Sequence, residues 1–165
     1  MNIHFRQVTQ SDMNKFPVWY ERIGGAELFS NLIPSTFVSF EESNDILWFI
    51  ILDDNDEIGT IWFEREDLDK MSYILGIYLN RIDLFGKGIG RKVVKSAVDI
   101  ILSGKEVQKL YLDVRKDNIR AIRCYEKLGF KSICVGEKVT SSEKIKFQRM
   151  QKLPTEQDYR TNQLS

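Results

Sequence analysis

Histidine is nearly absent from this chain: His4 is the only one in 165 residues. Without a further imidazole, a Ser-His-Asp or Cys-His nucleophile system and a histidine-rich metal centre are excluded as working hypotheses, and no metal is expected. Cysteine is scarce too. Cys124 and Cys134 have no metal-ligand spacing and are too few for a disulfide framework, so both are expected as reduced thiols. No apolar run approaches the roughly 18 residues of a membrane span, and the first residues, MNIHFRQVTQ, lack an apolar signal core. A cytoplasmic chain with no membrane partner is expected. The formal net charge is zero, so no overall basic excess calls for a nucleic-acid partner. Repeats and inter-domain linkers are absent as well, which leaves one domain over residues 1–153 and a polar tail, residues 154–165, expected to fray.

What is present is the composition of a folded domain: 42% hydrophobic and 29% charged residues leave little room for disorder of the whole chain. The zero net charge hides an asymmetry. Residues 1–69 hold 14 acids and 4 bases, and residues 70–165 hold 10 acids and 20 bases. A bipolar molecule of this kind suits an anion held by the basic part and a cationic acceptor drawn by the acidic part; plain surface solvation is the competing explanation.

Periodicity predicts the elements in order. Ile3–Val8 alternates as a strand and ends in the cap signal Thr9-Gln10-Ser11-Asp12; a helix should follow, interrupted at Pro17, then a second short helix over Ala26–Leu32. Ile46–Leu52 and Glu57–Glu66 form a hairpin about Asp53-Asp54-Asn55-Asp56, and Met71–Leu79 is a further buried strand. The apolar positions Ile89, Val93, Val94, Ala97, Val98 and Ile101 recur at helical spacing up to Gly104. Lys109–Val114 is a short strand. A helix capped by Asp117 or Asn118 should then stop at a left-handed Gly129, with Phe130 folded back on Tyr125. Strands near Lys131–Val139 and Ile145–Gln151 pair through Thr140-Ser141-Ser142. The result is an α/β fold with one mixed sheet of about seven strands flanked by about four helices.

The densest local signal is Gly86-Lys87-Gly88-Ile89-Gly90, which opens directly into a helix. Glycines permit close backbone approach, and the first amides of a helix lack intrahelical acceptors, so the junction suits an anion. A dinucleotide fingerprint fails because Arg91 stands where its third glycine belongs, and no Gly-Lys-Ser/Thr completes a P-loop. The glycine stretch, followed about thirty residues on by LDVRKDNIRAIRCYEKLGF, closely resembles the GNAT superfamily of acetyl-CoA-dependent N-acetyltransferases. The likeness is good over residues 57–150 and loose before them.

That resemblance implies a GNAT-like domain with splayed strands at a CoA site and acetyl-CoA as cosubstrate. The family pattern Gln/Arg-x-x-Gly-x-Gly/Ala falls on Phe85, Gly88 and Gly90, with Phe85 departing from it, and assigns the pyrophosphate to the backbone of Phe85, Gly86, Lys87, Gly88, Ile89, Gly90 and Arg91. It gives Ile77, Tyr78 and Leu79 main-chain contacts to the pantetheine arm, and Asn118 a contact to the cofactor or the splayed backbone. Tyr125 falls where the family's tyrosine lies near the CoA sulfur. A phenol of pKa about 10 can protonate the leaving thiolate while neutral at pH 7. Asp113 matches a base found in some members; Glu64 and Glu66 are reserves, and the strand before the glycines carries no carboxylate. Transfer within a ternary complex needs no enzyme nucleophile, so Cys124 is set aside.

The stretch is similar to aminoglycoside 6′-N-acetyltransferases and to acetylases of ribosomal-protein N-termini, although Tyr78 stands where the aminoglycoside enzymes carry an aspartate. The expected acceptor is a primary amine of a cationic small molecule or a peptide or protein. A homodimer on the C-terminal strands is a further expectation from the resemblance. The alternative is a catalytically silent acetyl-CoA sensor or scaffold.

Overall fold

The structure, a computed structural model, describes residues 1–28, 31–42, 45–66, 71–139 and 143–161, without the side chains of residues 27, 28 and 161. Seven strands form one sheet: β1 (Ile3–Gln7), β2 (Ile46–Asp53), β3 (Asp56–Arg65), β4 (Ser72–Leu79), β5 (Lys109–Arg115), β6 (Lys131–Val139) and β7 (Lys144–Lys152). Their spatial order is β1-β2-β3-β4-β5-β7-β6. Every pairing is antiparallel except β4 with β5, which is joined through a helix as parallel neighbours require. The helices are α1 (Lys15–Arg22), α2 (Gly25–Leu28), α3 (Ile89–Gly104), α4 (Ile119–Glu126) and α5 (Glu156–Thr161).

The side-chain period of two sorts each strand between two cores. Trp48 and Ile50 of β2, Trp62 of β3 and Tyr78 of β4 pack with Phe16 and Trp19 of α1. Ile51, Ile61, Phe63, Leu75 and Leu79, one residue out of phase, pack under Val93, Val94, Ala97 and Ile101 of α3. All six apolar positions expected to line α3 are buried.

Pro17 does not interrupt α1. It is the third residue of that helix, in the first turn, where a missing N–H has no intrahelical acceptor to lose. The second short helix is α2, which ends at Leu28; residues 29 and 30, and the turn Thr140-Ser141-Ser142, lie outside the described residues. The tail expected to fray is helical over Glu156–Thr161. Tyr159 anchors it: the hydroxyl accepts from the Val107 amide at 2.9 Å and donates to the Val107 carbonyl at 2.7 Å. A four-group cluster ties β1, α1 and β3 together. Arg6 and Lys15 both bind Asp12 and Glu57, and the buried Asp12 is held well below the usual carboxylate range, chiefly by the Arg6 guanidinium.

Candidate active site

The sheet opens at its centre. Parallel pairing of β4 with β5 runs from Ser72 opposite Lys109 to Leu75 opposite Leu112 and stops. β4 goes on pairing with β3 as far as Leu79, and β5 with β7 as far as Arg115, so from Gly76 and Asp113 the two strands splay. Gly76 marks the fork for a packing reason: a Cβ there would lie 2.1 Å from the Trp62 ring. Beyond it the edge of β4 that faced β5 has no strand partner among the described residues over Ile77, Tyr78 and Leu79, leaving backbone groups for a ligand.

Two cavities meet at this fork. The larger, about 720 Å³, is lined by Ile77–Leu79, by the glycine turn and by α4; the second is about 440 Å³. Ile77, Asn118, Ala121 and Tyr125 line both.

The larger cavity is electropositive by construction. Gly86 and Gly88 have φ of 74° and 77°, and the turn delivers the chain into α3 with Gly88 as its left-handed N-cap. The first bond of the helix runs from the Lys92 amide to the Gly88 carbonyl, so the amides of Ile89, Gly90 and Arg91 have no intrahelical acceptor. Cβ atoms added at Gly86, Gly88 or Gly90 would meet only open space. Lys87, Arg91, Arg120, Arg123 and Lys127 line the cavity, and among the described residues no carboxylate does. The Arg120 guanidinium sits 4.5 Å over the Phe85 ring, joining the start of α4 to the loop before the glycines. Arg120, Arg123 and Lys127 escaped sequence reasoning, although their spacing of three and four puts them on one helical face with Cys124.

Tyr125 is held by the end of its own helix. Gly129, at φ 90°, donates to the Glu126 carbonyl and Phe130 donates to the Tyr125 carbonyl, the bond pair of a Schellman stop; the two aromatic rings pack edge to face at 6.0 Å. The Tyr125 hydroxyl has no hydrogen-bond partner among the described residues. Burial, with a smaller contribution from Cys124, pushes its pKa up, so the phenol stays protonated. Cys124 lines the larger cavity, and burial pushes its thiol up against the opposing pull of Arg91 and Lys127. A thiol held protonated is a weak nucleophile. Asn118 caps α4, its side-chain oxygen accepting from the Ala121 amide at 3.3 Å.

The second cavity is lined by side chains from distant segments, including Ser35, Trp62, Glu64, Asp113, Arg115, Glu137, Lys138, Phe147 and Arg149. Both Asp113 oxygens accept from Arg149, at 2.8 and 2.9 Å, and the same guanidinium lies 3.5 Å from Glu66. Glu64 is 4% exposed and accepts from the amides and hydroxyls of Ser35 and Thr36 and from the Trp62 indole. Tyr78 is buried behind it and donates to the Leu32 carbonyl. Glu64 and Tyr78 thus fasten segment 32–36 to the sheet. Among the described residues the lining carboxylates Glu64, Asp113 and Glu137 are matched in number by Arg115, Lys138 and Arg149, so the described acids of residues 1–69 are not concentrated in this cavity. Among the described residues no cluster of three or more metal-ligating side chains occurs.

Residues 6–130 match the acetyltransferase (GNAT) family, and the chain belongs to that family. A curated relative, aminoglycoside N(6′)-acetyltransferase type 1 of Klebsiella pneumoniae, is 40% identical over 72 residues, which is 44% of this chain and 35% of the relative. Less than two thirds of that relative's length is therefore spanned. Among solved structures, AAC(6′)-Ib in complex with coenzyme A and kanamycin superposes with a TM-score of 0.72 at 22% identity, over 98% of this chain and 99% of the other. Spermidine N-acetyltransferase of Vibrio cholerae, in complex with CoA and spermine, gives 0.76 at 20% identity over 96% and 98%. At these identities the likeness is one of fold.

Proposed function

We propose that this protein is an N-acetyltransferase that moves an acetyl group directly from acetyl-CoA to a primary amine of a small molecule or peptide. One observation carries this reading: Tyr125 lines both the cation-lined cavity and the second cavity, so two ligands bound side by side would meet beside it. Acetyl-CoA fits the larger cavity by its chemistry. The free amides at the start of α3 and the five cations suit the phosphates, and the unpaired edge of β4 suits an amide-bearing arm. When bound there, acetyl-CoA supplies a thioester carbonyl open to attack by an amine.

The chain's own groups then have defined tasks. Tyr125, protonated across neutral pH, gives its proton to the departing thiolate. The acceptor arrives as an ammonium and must lose a proton before its nitrogen can attack. Both oxygens of Asp113 are engaged by the Arg149 guanidinium, so the proton leaves through water at Asp113 rather than by direct contact with its carboxylate. Glu64 holds the wall of the acceptor cavity rather than moving protons, since both its oxygens are already occupied.

The test is thiol release from acetyl-CoA across a panel of amines, beside direct titration of CoA. Amine-dependent thiol release is the expected result. Tight CoA binding without thiol release for any amine would instead establish the second reading, a silent binding module, which the engagement of both Asp113 oxygens favours.

A further inference from the structure

Within the second cavity, the buried side chain with an incomplete set of hydrogen bonds is a cation. Arg115, the last residue of β5, is 9% exposed and lines this cavity. Its guanidinium donates once, from Nη1 to the Ala26 carbonyl at 2.7 Å. Its Nε–H is buried and has no acceptor. Asp117 and Glu143, both exposed, form ion pairs with the guanidinium at 3.7 Å, which offset its charge but are too long to accept hydrogen bonds. Glu64, by contrast, is saturated by its own donors, and each Asp113 oxygen accepts one bond from Arg149. An unmet N–H on a buried guanidinium costs stability, and such a breach of local rules is typical of functional positions.

We infer that the acceptor carries a carboxylate that binds Arg115, which makes it an amino acid or short peptide rather than a polycation. A planar fork of donors with a free Nε–H is the group that receives a carboxylate in two parallel hydrogen bonds. The amine of the same molecule would then face Tyr125, which lines the same cavity. The global acid excess of residues 1–69 does not oppose this, because among the described residues Glu64 is its one contribution to the cavity lining. The assignment rests on the acetyl-transfer reading only in giving this cavity to the acceptor.

Thiol release from acetyl-CoA is measured with free amino acids and dipeptides, with their C-terminal amides, and with spermidine and kanamycin as amines lacking any anion. The free acids are expected to exceed the amides by about 10- to 100-fold in kcat/KM, the worth of a charge-assisted hydrogen bond. Arg115→Gln removes most of that difference by raising the acceptor KM, and Arg115→Lys restores part of it; thermal melts confirm that both variants fold. Amides as good as acids, or an Arg115→Gln effect equal on acids and amides, would overturn the inference. If no amine releases thiol, the transfer reading has failed by itself. N-acetyl dipeptides and their amides are then titrated calorimetrically into the CoA-loaded protein. Binding that needs both the carboxylate and Arg115 sustains the inference, and binding indifferent to either, or no binding, overturns it.

Discussion

The two cavities that share Tyr125 are built in opposite ways. The larger combines the glycine turn at a helix N-terminus with a one-signed set of cations, drawn from two stretches, Ile77–Val94 and Asn118–Lys127. The second is made of side chains from several separated segments, with acids and bases in balance and two of its carboxylates tied to local donors. Backbone amides at a helix N-terminus recognise a phosphate in any family member with a glycine turn. A cavity of paired side chains discriminates by which donors are left unmet. One half of the site is therefore generic and the other particular to this chain.

The largest separation between the halves is expected at their shared residue. Tyr125→Phe should lower kcat by about 100-fold or more, the usual worth of a general acid, while calorimetry finds acetyl-CoA affinity within about twofold of the parent. Because the pKa of Tyr125 is raised, its proton is present below that pKa and lost only above it, so the kcat profile should show no Tyr125-dependent fall below about pH 10, the value of a free phenol. A smaller effect should fall on the larger cavity alone. Gly88→Val places a β-branched residue at φ 77°, costing about 1–2 kcal/mol, and should weaken acetyl-CoA binding by about tenfold with the acceptor KM unmoved. Glu64→Gln should act on the other side. It removes a buried negative charge from the Ser35 and Thr36 amides, lowering stability by about 2 kcal/mol in denaturant titration and raising the acceptor KM severalfold. The smallest effect belongs to Arg120→Gln, where loss of the stack on Phe85 should raise the acetyl-CoA KM by about two- to fivefold.

The same contrast explains what the amino-acid sequence disclosed. The element order, the buried stripe of α3 and the stop at Gly129–Phe130 are local patterns, set by 3.6-residue periodicity and by which residue tolerates positive φ, and all were legible. So was the glycine turn, a contiguous string. Pro17 misled because its effect depends on its place in the helix, and the first turn forgives it. The tail misled because Tyr159, one aromatic among polar residues, docks on Val107 more than fifty positions away. Pairing of Asp113 with Arg149 depends on the register of β5 against β7, and the confinement of Asp12 and Glu57 by Arg6 and Lys15 depends on β1, α1 and β3 coming together. Neither spacing nor net charge reports such contacts. For that reason the acidic excess pointed to a cation-binding surface that the second cavity does not concentrate.

Direct transfer between two cavities meeting at Tyr125 is tested most directly by initial rates measured while acetyl-CoA and an accepted amine are varied together, in the parent and in Cys124→Ser. Intersecting double-reciprocal lines, with turnover kept in Cys124→Ser, are predicted for two ligands bound at once. Parallel lines, with turnover lost in Cys124→Ser, would show an acetylated-enzyme intermediate and contradict it.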